Sequence, residues 1–293
     1  MTDNKLIFWV CDYSNKTGEG NLARKFIKEN FEKKKVKINT SKLNPFFNHK
    51  YIVPIVGIVS CWKHYLKGKK VGYINFLPLW NFLIFFLLPP KTILGPITGG
   101  ALYDKTNKIN YYIRDIFFPI FYKFSEIALN LRFKNRLVFS TELLKKYLSK
   151  KTIKRCKFNF VLKNLKFKKK RKNKDIDFLV YYRTHKNKSL MFDYRLIKNL
   201  TKLNQKIFIV GDRLEIKKVN NLGYVNRKNL NILQSRSKYS LCSGENIYSL
   251  FVIECITNHV KIYINKDQIK KIKIFKKFFC TYKGSKINLK KKF

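Results

Sequence analysis

Short apolar runs alternate with helical patterns along the first half of the chain. The run Leu6–Cys11 predicts a buried strand, and the spacing of Leu22, Phe26 and Phe31 predicts a helix over Asn21–Lys33. Strands and helices continue to alternate as far as residue 149. The further strands are predicted at Ile52–Val59, Val71–Asn75, Thr92–Leu94 and Arg136–Ser140, and the further helices at Asn110–Asn130 and Thr141–Ser149.

A lysine-rich block at residues 163–174 interrupts this alternation, and a block of like charges is usually a solvated linker. The alternation then resumes and predicts a second set of elements. Its strands are Asp177–Tyr182, Lys206–Val210, Asn221–Val225, Tyr239–Cys242 and Val260–Ile264, and its helices are Ser189–Leu203, Lys228–Ser235 and Tyr248–Thr257.

Two such series predict an α/β protein with two Rossmann-like domains facing a cleft and a short C-terminal domain. The predicted amino-terminal domain covers residues 1–158, and a basic linker covers residues 159–175. The second domain covers residues 176–268. Residues 269–293 form a basic amphipathic tail.

The charge of the chain raises the question of nucleic acid. The 293 residues carry a net charge of +47, but 45% of them are hydrophobic, so the chain is not a disordered polybasic segment. The excess of Lys, Asn, Ile, Phe and Tyr also matches A/T-rich codons. Charge therefore does not decide between a nucleic-acid partner and a biased genome.

The cysteines and apolar runs indicate the compartment in which the protein is expected to lie. None of the six cysteines forms a CxxC pair, and the four histidines are scattered, so we expect no metal site, no cofactor and a reduced compartment. The run Leu6–Cys11 is too short for a signal-peptide core, and the longest apolar stretch, Phe76–Leu88, is too short to span a membrane. We therefore expect a cytoplasmic protein.

Two glycine-containing turns follow predicted strands of the first domain. Gly18 and Gly20 precede a helix, where backbone amides favour an anion, but the third glycine of a dinucleotide fingerprint is absent. Thr92–Gly100 is a second loop of this kind. For both loops, a ligand-binding loop and a plain structural turn remain open.

The second domain holds more informative residues. Arg183 follows a predicted strand and Lys188 lies five positions later, a pair that suits the diphosphate of an activated donor. Glu245 and Glu254 bracket a turn and the start of a helix, where carboxylates can accept hydrogen bonds from sugar hydroxyls. Asp175-Ile-Asp177 matches a metal-binding D-x-D pattern by chance, because it precedes its strand and lies at the wrong end of the sheet.

The stretch from Phe178 to Ile264 resembles the donor-binding domain of group 1 glycosyltransferases of the GT-B fold. The resemblance covers about ninety residues. It lies in Tyr182-Arg183 with Lys188, Ile207-Phe-Ile-Val-Gly-Asp212, Leu222-Gly-Tyr-Val225, Leu230-Asn-Ile-Leu233 and Tyr239-Ser-Leu-Cys-Ser-Gly-Glu245 running on to Glu254-Cys-Ile.

The resemblance implies transfer of a sugar from a nucleoside-diphosphate sugar to an acceptor hydroxyl, without a metal and with retention at the anomeric carbon. It implies that Arg183 and Lys188 bind the diphosphate, that Glu245 faces the sugar and that Glu254 binds the ribose. The remaining residues counted as donor-binding fall into three groups. They are the turn glycines Gly18 and Gly20, then Tyr224 and Val225 near the base, and Asn246 and Ser249 at the phosphates.

Several alternatives stay open. The family usually has seven residues between the two glutamates, whereas residues 246–253 make eight here, so a non-catalytic GT-B-like scaffold is one of them. A basic nucleic-acid-binding protein is the other, although no nucleic-acid-binding motif is present and we regard this partner as the less favoured. Glu19 and His64 are candidates for the base.

The resemblance leads us to expect a saccharide or a lipid-linked sugar as the acceptor, as in surface polysaccharide or glycolipid synthesis. The apolar and basic residues between Ile269 and Phe279 predict an amphipathic helix, which would lie on an anionic membrane or pack against the domains.

Overall fold

The computed structural model divides the chain into two compact units. The first ends at Val161 and the second begins at Leu162. The structure describes residues 6–15, 17–31, 36–40, 52–99, 108–184, 192–242 and 247–287, and within these ranges it does not describe the side chains of 108–111, 113–115, 270 and 271.

The first unit is built on a parallel sheet. Its described strands are β1 (Leu6–Val10), β2 (Val36–Asn39), β3 (Val71–Ile74), β4 (Ile93–Leu94), β5 (Leu137–Val138) and β6 (Cys156–Lys157). Its described helices are α1 (Gly18–Phe31), α2 (Ile52–Tyr65), α3 (Phe82–Leu87), α4 (Lys108–Arg132) and α5 (Lys150–Arg155).

The strand order in this sheet is β2-β1-β3-β4, and every pairing is parallel. A bridge between Ile97 and Phe139 links the segment after β4 to the segment after β5, which itself pairs with β6. The strand β2 lies on one side of β1, and β3, the next strand along the chain, lies on the other side. The direction in which strands are added to the sheet therefore reverses between β1 and β3. In open α/β sheets, this reversal leaves a crevice at the carboxyl ends of the two strands.

Helix α2 covers this sheet, and the strand predicted at Ile52–Val59 is wrong. An apolar run of this length fits a buried strand or a buried helix equally well. Here the run continues to Tyr65, and Val53, Ile58 and Cys61 pack into the same core as Tyr73. Pro54 is tolerated because it lies in the first turn of the helix.

The second unit contains a six-stranded parallel sheet in its described residues. The strands are β7 (Ile176–Tyr182), β8 (Ile207–Gly211), β9 (Asn220–Asn221), β10 (Ser237–Leu241), β11 (Lys261–Asn265) and β12 (Phe279–Tyr282). The described helices are α6 (Tyr194–Lys202), α7 (Arg227–Arg236) and α8 (Leu250–Thr257). The strand order is β12-β11-β10-β7-β8-β9, which is the order 6-5-4-1-2-3 of a dinucleotide-binding Rossmann sheet.

Apolar side chains cover both faces of this sheet. Phe178, Val180 and Tyr182 of β7 pack with Leu196 and other residues of α6 on one face. Leu179 packs with α8 on the opposite face. Successive residues of a strand point to opposite faces, so β7 is buried on both sides and its sequence is almost continuously apolar.

The helix predicted between Ile269 and Phe279 is wrong. The segment forms short 3-10 turns at Lys266–Lys271 and Lys276–Phe278 and then the strand β12, which pairs in parallel with β11. Ile272 and Phe278 are buried in the core beside α8. Their apolar side chains therefore pack inside the second unit and do not form an exposed amphipathic surface. The sheet therefore continues past residue 268.

Two smaller differences concern the first unit. Thr141–Ser149 was expected to be a helix, but it contains only a 3-10 turn at Lys145–Tyr147. The strand β2 and the helices α3 and α5 were not predicted. Among the described helices, none combines the length and the apolar character needed to cross a membrane.

We predict that the buried carboxylate of Glu126 stabilises the first unit at neutral pH. The amide of Ser149 donates to Glu126 Oε1 at 2.7 Å, and Lys123 Nζ lies 3.2 Å from Oε2. Burial raises the pKa of Glu126, but the bonds from Ser149, Thr152 and Lys123 outweigh it and leave the pKa below its ordinary value. Glu126→Gln should therefore lower the free energy of unfolding by about 1.5–3 kcal/mol at pH 7.

The contribution of Glu126 to the free energy of unfolding should depend on pH. Because the pKa of the folded state is depressed, the contribution is present above the unfolded pKa, near 4.5, and disappears as the pH falls through the folded value. Urea unfolding at pH 7 and pH 3 measures it. Glu215→Gln is the control, since that side chain is 80% exposed in its pair with Arg213 and should change stability by less than ~1 kcal/mol. Equal losses in both variants, or a loss unchanged at pH 3, would contradict the assignment.

Candidate functional site

The topology of the second sheet places a crevice between β7 and β10. These two central strands are neighbours, but β8 and β9 extend the sheet on one side and β11 and β12 on the other. The carboxyl ends of β7 and β10 are followed by Arg183 and Cys242, respectively. Ligands of open α/β sheets bind at this point, and Arg183 lies at this edge of the sheet.

Arg183 lies directly after β7 and is exposed. Its guanidinium donates a hydrogen bond to the Tyr181 side chain and lies in the electrostatic field of Tyr224 and Asp212. Burial lowers the pKa of Arg183, but these neighbours outweigh that effect and raise it. Arg183 is therefore a permanent positive charge at the carboxyl edge of the sheet.

Asp212 organises the loops around Arg183. Its Oδ2 accepts bonds from the Thr184 amide at 2.7 Å and the Thr184 hydroxyl at 2.8 Å, and its Oδ1 accepts a bond from the Tyr224 hydroxyl. The bonds from Tyr224 and Thr184 lower the pKa of Asp212 to about 2. This carboxylate is therefore ionised at neutral pH, and it joins the ends of β7 and β8 to Tyr224.

Gly211 makes this arrangement sterically accessible. Its φ is +105°, and a Cβ atom at this position would lie 2.2 Å from the Tyr182 carbonyl oxygen. Only glycine fits so close an approach between the ends of β7 and β8. The turn then brings the Asp212 amide to the Tyr182 carbonyl at 3.0 Å, which fixes the direction of the Asp212 side chain.

Sequence analysis did not assign a role to Asp212 or Tyr181. The Gly211-Asp212 pair at the end of an apolar strand was the available signal for Asp212. Tyr181 interrupts the apolar run of β7 with a ring that is 37% exposed and stacks on Phe251 of α8, with centroids 5.5 Å apart. This stacking joins β7 to the first turn of α8.

Ser249 is the N-cap of α8. It has extended backbone angles and its side chain accepts a bond from the Val252 amide at 3.3 Å. The amino terminus of α8 follows the loop after β10 and carries the partial positive charge of a helix start. Lys188, Glu245 and Asn246, which the sequence placed near this terminus or in the loop after β7, lie outside the described residues.

Glu254 lies one turn further along α8 and has different neighbours. Arg227 Nη2 of α7 lies 2.9 Å from Glu254 Oε1, and Lys168 also lies in the field of this carboxylate. The described neighbours of the Glu254 carboxylate are Arg227 of α7 and Lys168, whereas Arg183 is associated with Tyr181, Asp212 and Tyr224. A carboxylate has about four acceptor positions, so the pair with Arg227 does not exhaust Glu254.

The two predicted base contacts differ in exposure. The ring of Tyr224 is 65% exposed, and its hydroxyl is fixed by Asp212, so the ring face is available for stacking. Val225 is half-buried and packs against the core cluster that contains α8. Val225 therefore has a packing role irrespective of any ligand.

The first unit has its own group of polar side chains after β1 and β3. The Asp12 amide donates to Asn75 Oδ1 at 3.3 Å, and Asn75 Nδ2 donates to the Glu19 carbonyl at 2.8 Å and to Glu19 Oε2 at 3.3 Å. Asp12 also accepts bonds from the Ser14 amide at 2.8 Å and from the Thr17 hydroxyl. Glu19, a candidate base, is thus hydrogen-bonded at the crevice of the first sheet.

His64, the other candidate base, lies in the last turn of α2. Burial, followed by the charges of Lys69, Lys37, Lys63 and Lys67, lowers its pKa. Asn39 Nδ2 lies 3.2 Å from His64 Nε2. A neutral imidazole in this position can accept a proton only at lower pH than an ordinary histidine.

Gly18 and Gly20 lie inside α1. The predicted helix start at Asn21 had placed them in a loop before the helix. The helix begins at Gly18, and the Gly20 amide donates to the Thr17 hydroxyl at 3.0 Å. A Cβ atom on Gly20 would lie 2.1 Å from the Ser14 carbonyl oxygen, whereas one on Gly18 would meet nothing within 4 Å. Gly20 is therefore required for close packing of its own turn.

The loop at Thr92–Gly99 is a structural turn. The amide of Gly95 donates to Tyr73, that of Ile97 to Val138, and that of Thr98 to Leu77, in each case to a backbone carbonyl. These bonds extend the sheet between β3 and β5. Gly100 lies outside the described residues.

The carboxylates of the D-x-D match lie at the amino end of β7. Arg236 donates to both oxygens of Asp175, and Lys238 Nζ lies 2.8 Å from Asp177 Oδ1. The prediction that this match lies at the wrong end of the sheet is confirmed. In the described part of the chain, no group of three or more His, Cys, Asp and Glu side chains could hold a metal ion.

Each unit is an α/β unit built on a parallel sheet, so the predicted fold class of two Rossmann-like units is confirmed. No protein-family profile matches the sequence, and no curated protein matches it significantly. Solved structures do match its fold.

HepE of Anabaena in complex with UDP and glucose has a TM-score of 0.50 and 9% identity over 92% of this chain and 83% of that chain. Its complex with UDP has a TM-score of 0.51 and 9% identity over 94% and 85%. The UDP-GlcNAc 2-epimerase of Methanocaldococcus jannaschii, in complex with UDP-GlcNAc and UDP, has a TM-score of 0.48 and 12% identity over 95% and 89%. At these identities the likeness shows the fold and not the activity.

We predict opposite effects of alanine at the two glycines of α1. Gly20→Ala should lower the free energy of unfolding by about 1–3 kcal/mol, because the new Cβ meets the Ser14 backbone at 2.1 Å. Gly18→Ala should leave stability unchanged or raise it by up to ~1 kcal/mol, since the space is open and alanine favours a helix. Urea unfolding of both variants measures the difference. Equal stabilities would show that Gly20 is not held by packing.

Proposed function

We propose that the protein is a glycosyltransferase that moves a sugar from a nucleoside-diphosphate sugar to an acceptor hydroxyl. The observation that carries the proposal is Arg183 at the carboxyl end of β7, together with the capped amino terminus of α8 after the neighbouring strand β10. A diphosphate needs a fixed cation and a helix start at one sheet edge, and both are present there.

The catalytic contribution of these groups is electrostatic. As the bond between the anomeric carbon and the diphosphate breaks, negative charge develops on the leaving phosphate. Arg183 would stabilise this charge, with Lys188 adding a second cation and the α8 amides near Asn246 and Ser249 donating hydrogen bonds. Glu254 would hold the ribose hydroxyls, with Arg227 fixing the direction of its carboxylate.

Tyr224 would support the nucleotide base. The bond from its hydroxyl to Asp212 restrains a ring that is 65% exposed, and a restrained ring loses little entropy when a base stacks on it. Glu245 would face the transferred sugar, as the family resemblance implies.

The finer assignments rest on the resemblance of residues 178–264 to group 1 glycosyltransferases. They are a hexosyl or related donor sugar, a metal- and cofactor-independent reaction with retention, and a saccharide or lipid-linked acceptor in surface polysaccharide or glycolipid synthesis on the cytoplasmic face of a membrane. The likeness of the fold to HepE, which was solved with UDP and glucose, supports a uridine diphosphate donor.

We predict that removal of Arg183 abolishes most of the donor affinity. A ligand that binds the folded state raises the melting temperature, so UDP-, GDP- and ADP-sugars can be screened by thermal shift. Arg183→Ala should weaken the affinity for the stabilising donor by roughly 10- to 100-fold, since a charge-assisted bond contributes about 1.5–3 kcal/mol.

Arg236→Ala is the matched control. It removes the same charge from the same unit, but at the amino edge, where Arg236 pairs with Asp175. Its donor affinity should stay within about twofold of the parent chain. If no nucleotide sugar stabilises the protein, or if both variants lose affinity equally, the transferase proposal fails.

A second prediction concerns Tyr224. Tyr224→Ala should weaken nucleotide binding by roughly 5- to 100-fold, because stacking of one base contributes about 1–3 kcal/mol. Tyr224→Phe keeps the ring, loses only the bond to Asp212 and should retain most of the affinity. Calorimetric titration with the free nucleoside diphosphate distinguishes the two. Equal losses would assign the effect to the hydroxyl and contradict stacking.

A further inference from the structure

Helix α4 has apolar side chains on two opposite sides. Tyr122 and Leu129 of α4, and Phe133 directly after it, are buried in the core of the first unit. On the opposite side, a stripe of large apolar side chains remains exposed at a spacing of three or four residues. The stripe consists of Tyr112, Ile116, Ile120, Phe124, Ile127 and Leu131.

Helix α3 continues this exposed surface. Leu83 and Leu87 are 55% and 53% exposed, and the sequence of α3 has no polar residue. The Phe82 ring of α3 lies 5.5 Å from the Phe124 ring and 6.4 Å from the Phe86 ring, so the two helices share one continuous apolar surface.

The segment before α3 and the helix α2 extend the surface at either side. Trp80 is 38% exposed and its ring stacks on that of Phe118 of α4, with centroids 5.5 Å apart. On the other side, Trp62 of α2 donates to the Leu87 carbonyl at 2.7 Å, and Ile55 and Val59 of α2 are exposed. We call the exposed apolar residues of α2, α3 and α4, together with Trp80, the apolar helical face.

The size of this face distinguishes it from ordinary surface. Single exposed apolar residues are normal in folded proteins, but a contiguous patch across three helices marks an interaction site. Burial of this face against a partner would be favourable in proportion to the apolar area removed from water.

Basic residues border the apolar helical face. The end of α4 and the segments beside it carry Lys91, Arg132, Lys134 and Arg136, and the Lys91 amide donates to the Arg132 carbonyl at 2.9 Å. Neither α2 nor α3 contains an acidic residue. Of the two acidic residues in α4, Glu126 is buried, and the side chain of Asp115 is not described.

The net charge of the chain also indicates what kind of partner binds the apolar helical face. The chain carries +47, so two copies that approach each other through this face repel strongly. An anionic lipid surface attracts the same chain, and exposed Trp, Tyr and Phe side chains with flanking Lys and Arg are typical of elements that lie in a membrane interface.

We propose that the apolar helical face of the first unit binds an anionic membrane surface. The aromatic and aliphatic side chains of α3 and α4 enter the interfacial region, and the basic border contacts the lipid phosphates. This surface replaces the segment between Ile269 and Phe279 as the membrane-binding element, since Ile272 and Phe278 of that segment are buried in the core of the second unit. The proposal does not rest on the transferase function, because vesicle binding requires no donor.

Co-sedimentation of the full chain with vesicles tests the proposal. Vesicles of phosphatidylglycerol and phosphatidylcholine are compared with phosphatidylcholine alone at about 0.1 M salt, where charges are screened beyond about 10 Å. The parent chain should bind the anionic vesicles more strongly. The double substitution Leu83→Gln and Leu87→Gln should lower the partition coefficient by about tenfold or more, because both side chains would leave the interface.

The control substitutes exposed apolar residues of the second unit. Leu203 and Ile232 are 55% and 45% exposed, and changing both to Gln should alter partitioning by less than about twofold. Unchanged binding of the α3 variant would show that charge alone attracts the chain, and equal losses in both variants would show that binding is not specific to this face; either result would overturn the proposal. Light scattering that shows a dimer dissociated by the α3 variant would assign the face to a second copy and would also overturn it.

A measurement on the parent chain covers the case in which the α3 variant does not fold. The chain has three tryptophans, of which Trp9 is buried and Trp80 lies in the apolar helical face. Anionic vesicles that contain brominated lipid should quench the fluorescence of the parent chain. Since Trp62 also borders this face through its bond to the Leu87 carbonyl, the variant is the double substitution Trp62→Phe and Trp80→Phe, which should remove most of that quenching. Quenching that persists in the double variant, in which only the buried Trp9 remains, would contradict membrane contact at this face.

Discussion

The position of β7 between β10 and β8 is the constraint on which the candidate site depends. β7 pairs in parallel with both neighbours, from Phe178 with Ile207 to Tyr182 with Gly211 on one side and from Ile176 with Ser237 to Leu179 with Ser240 on the other. Because the strand is buried on both faces, a one-residue shift would exchange the side chains that face the two cores, and Phe178, Val180 and Tyr182 would no longer pack against α6. The register therefore fixes where the strand ends and hence where Arg183 lies.

The two units share one feature of strand order but carry different side chains at that point of the sheet. In each, the strand order reverses beside the first strand, and polar side chains follow the strands at that point. In the second unit these side chains are an arginine, an ionised aspartate and an exposed tyrosine, a combination suited to a phosphorylated nucleoside. In the first unit, Asp12, Thr17, Glu19 and Asn75 bond to one another, and the larger exposed feature is instead the apolar helical face.

The sequence predicted the parts of the fold that have a clear period and clear boundaries. β7 was predicted within one residue because an apolar run ends there in Arg183-Thr184. Ile52–Val59 was predicted as a strand because an apolar run has no period that separates a buried strand from a buried helix. β12 was not predicted, since Phe279–Tyr282 follows a lysine-rich stretch, and only its pairing with β11 makes it a strand.

The candidate site was predictable only in part, for a related reason. The sequence shows which residues follow a strand, so Arg183 was placed at the end of β7, whereas Ser249 and Tyr224 became candidates through the resemblance. It does not show which loops meet, so Asp212 was missed, because its role depends on contacts with Thr184 and Tyr224, 28 and 12 positions away. The apolar helical face was missed because apolar residues in a helix are usually buried, and only the packed structure shows which side of α4 remains exposed.

Hydrogen exchange of the full chain, measured by mass spectrometry with UDP-glucose, GDP-glucose and ADP-glucose in turn, tests the central claim most directly. If the donor binds at the crevice between β7 and β10, one of these ligands should slow exchange in peptides that contain residues 183–184, 211–212 and 247–250. Peptides at the amino edge, with residues 175–177 and 236–238, should exchange at an unchanged rate. Protection confined to the amino edge, or no protection by any of the three, would contradict the assignment of the site.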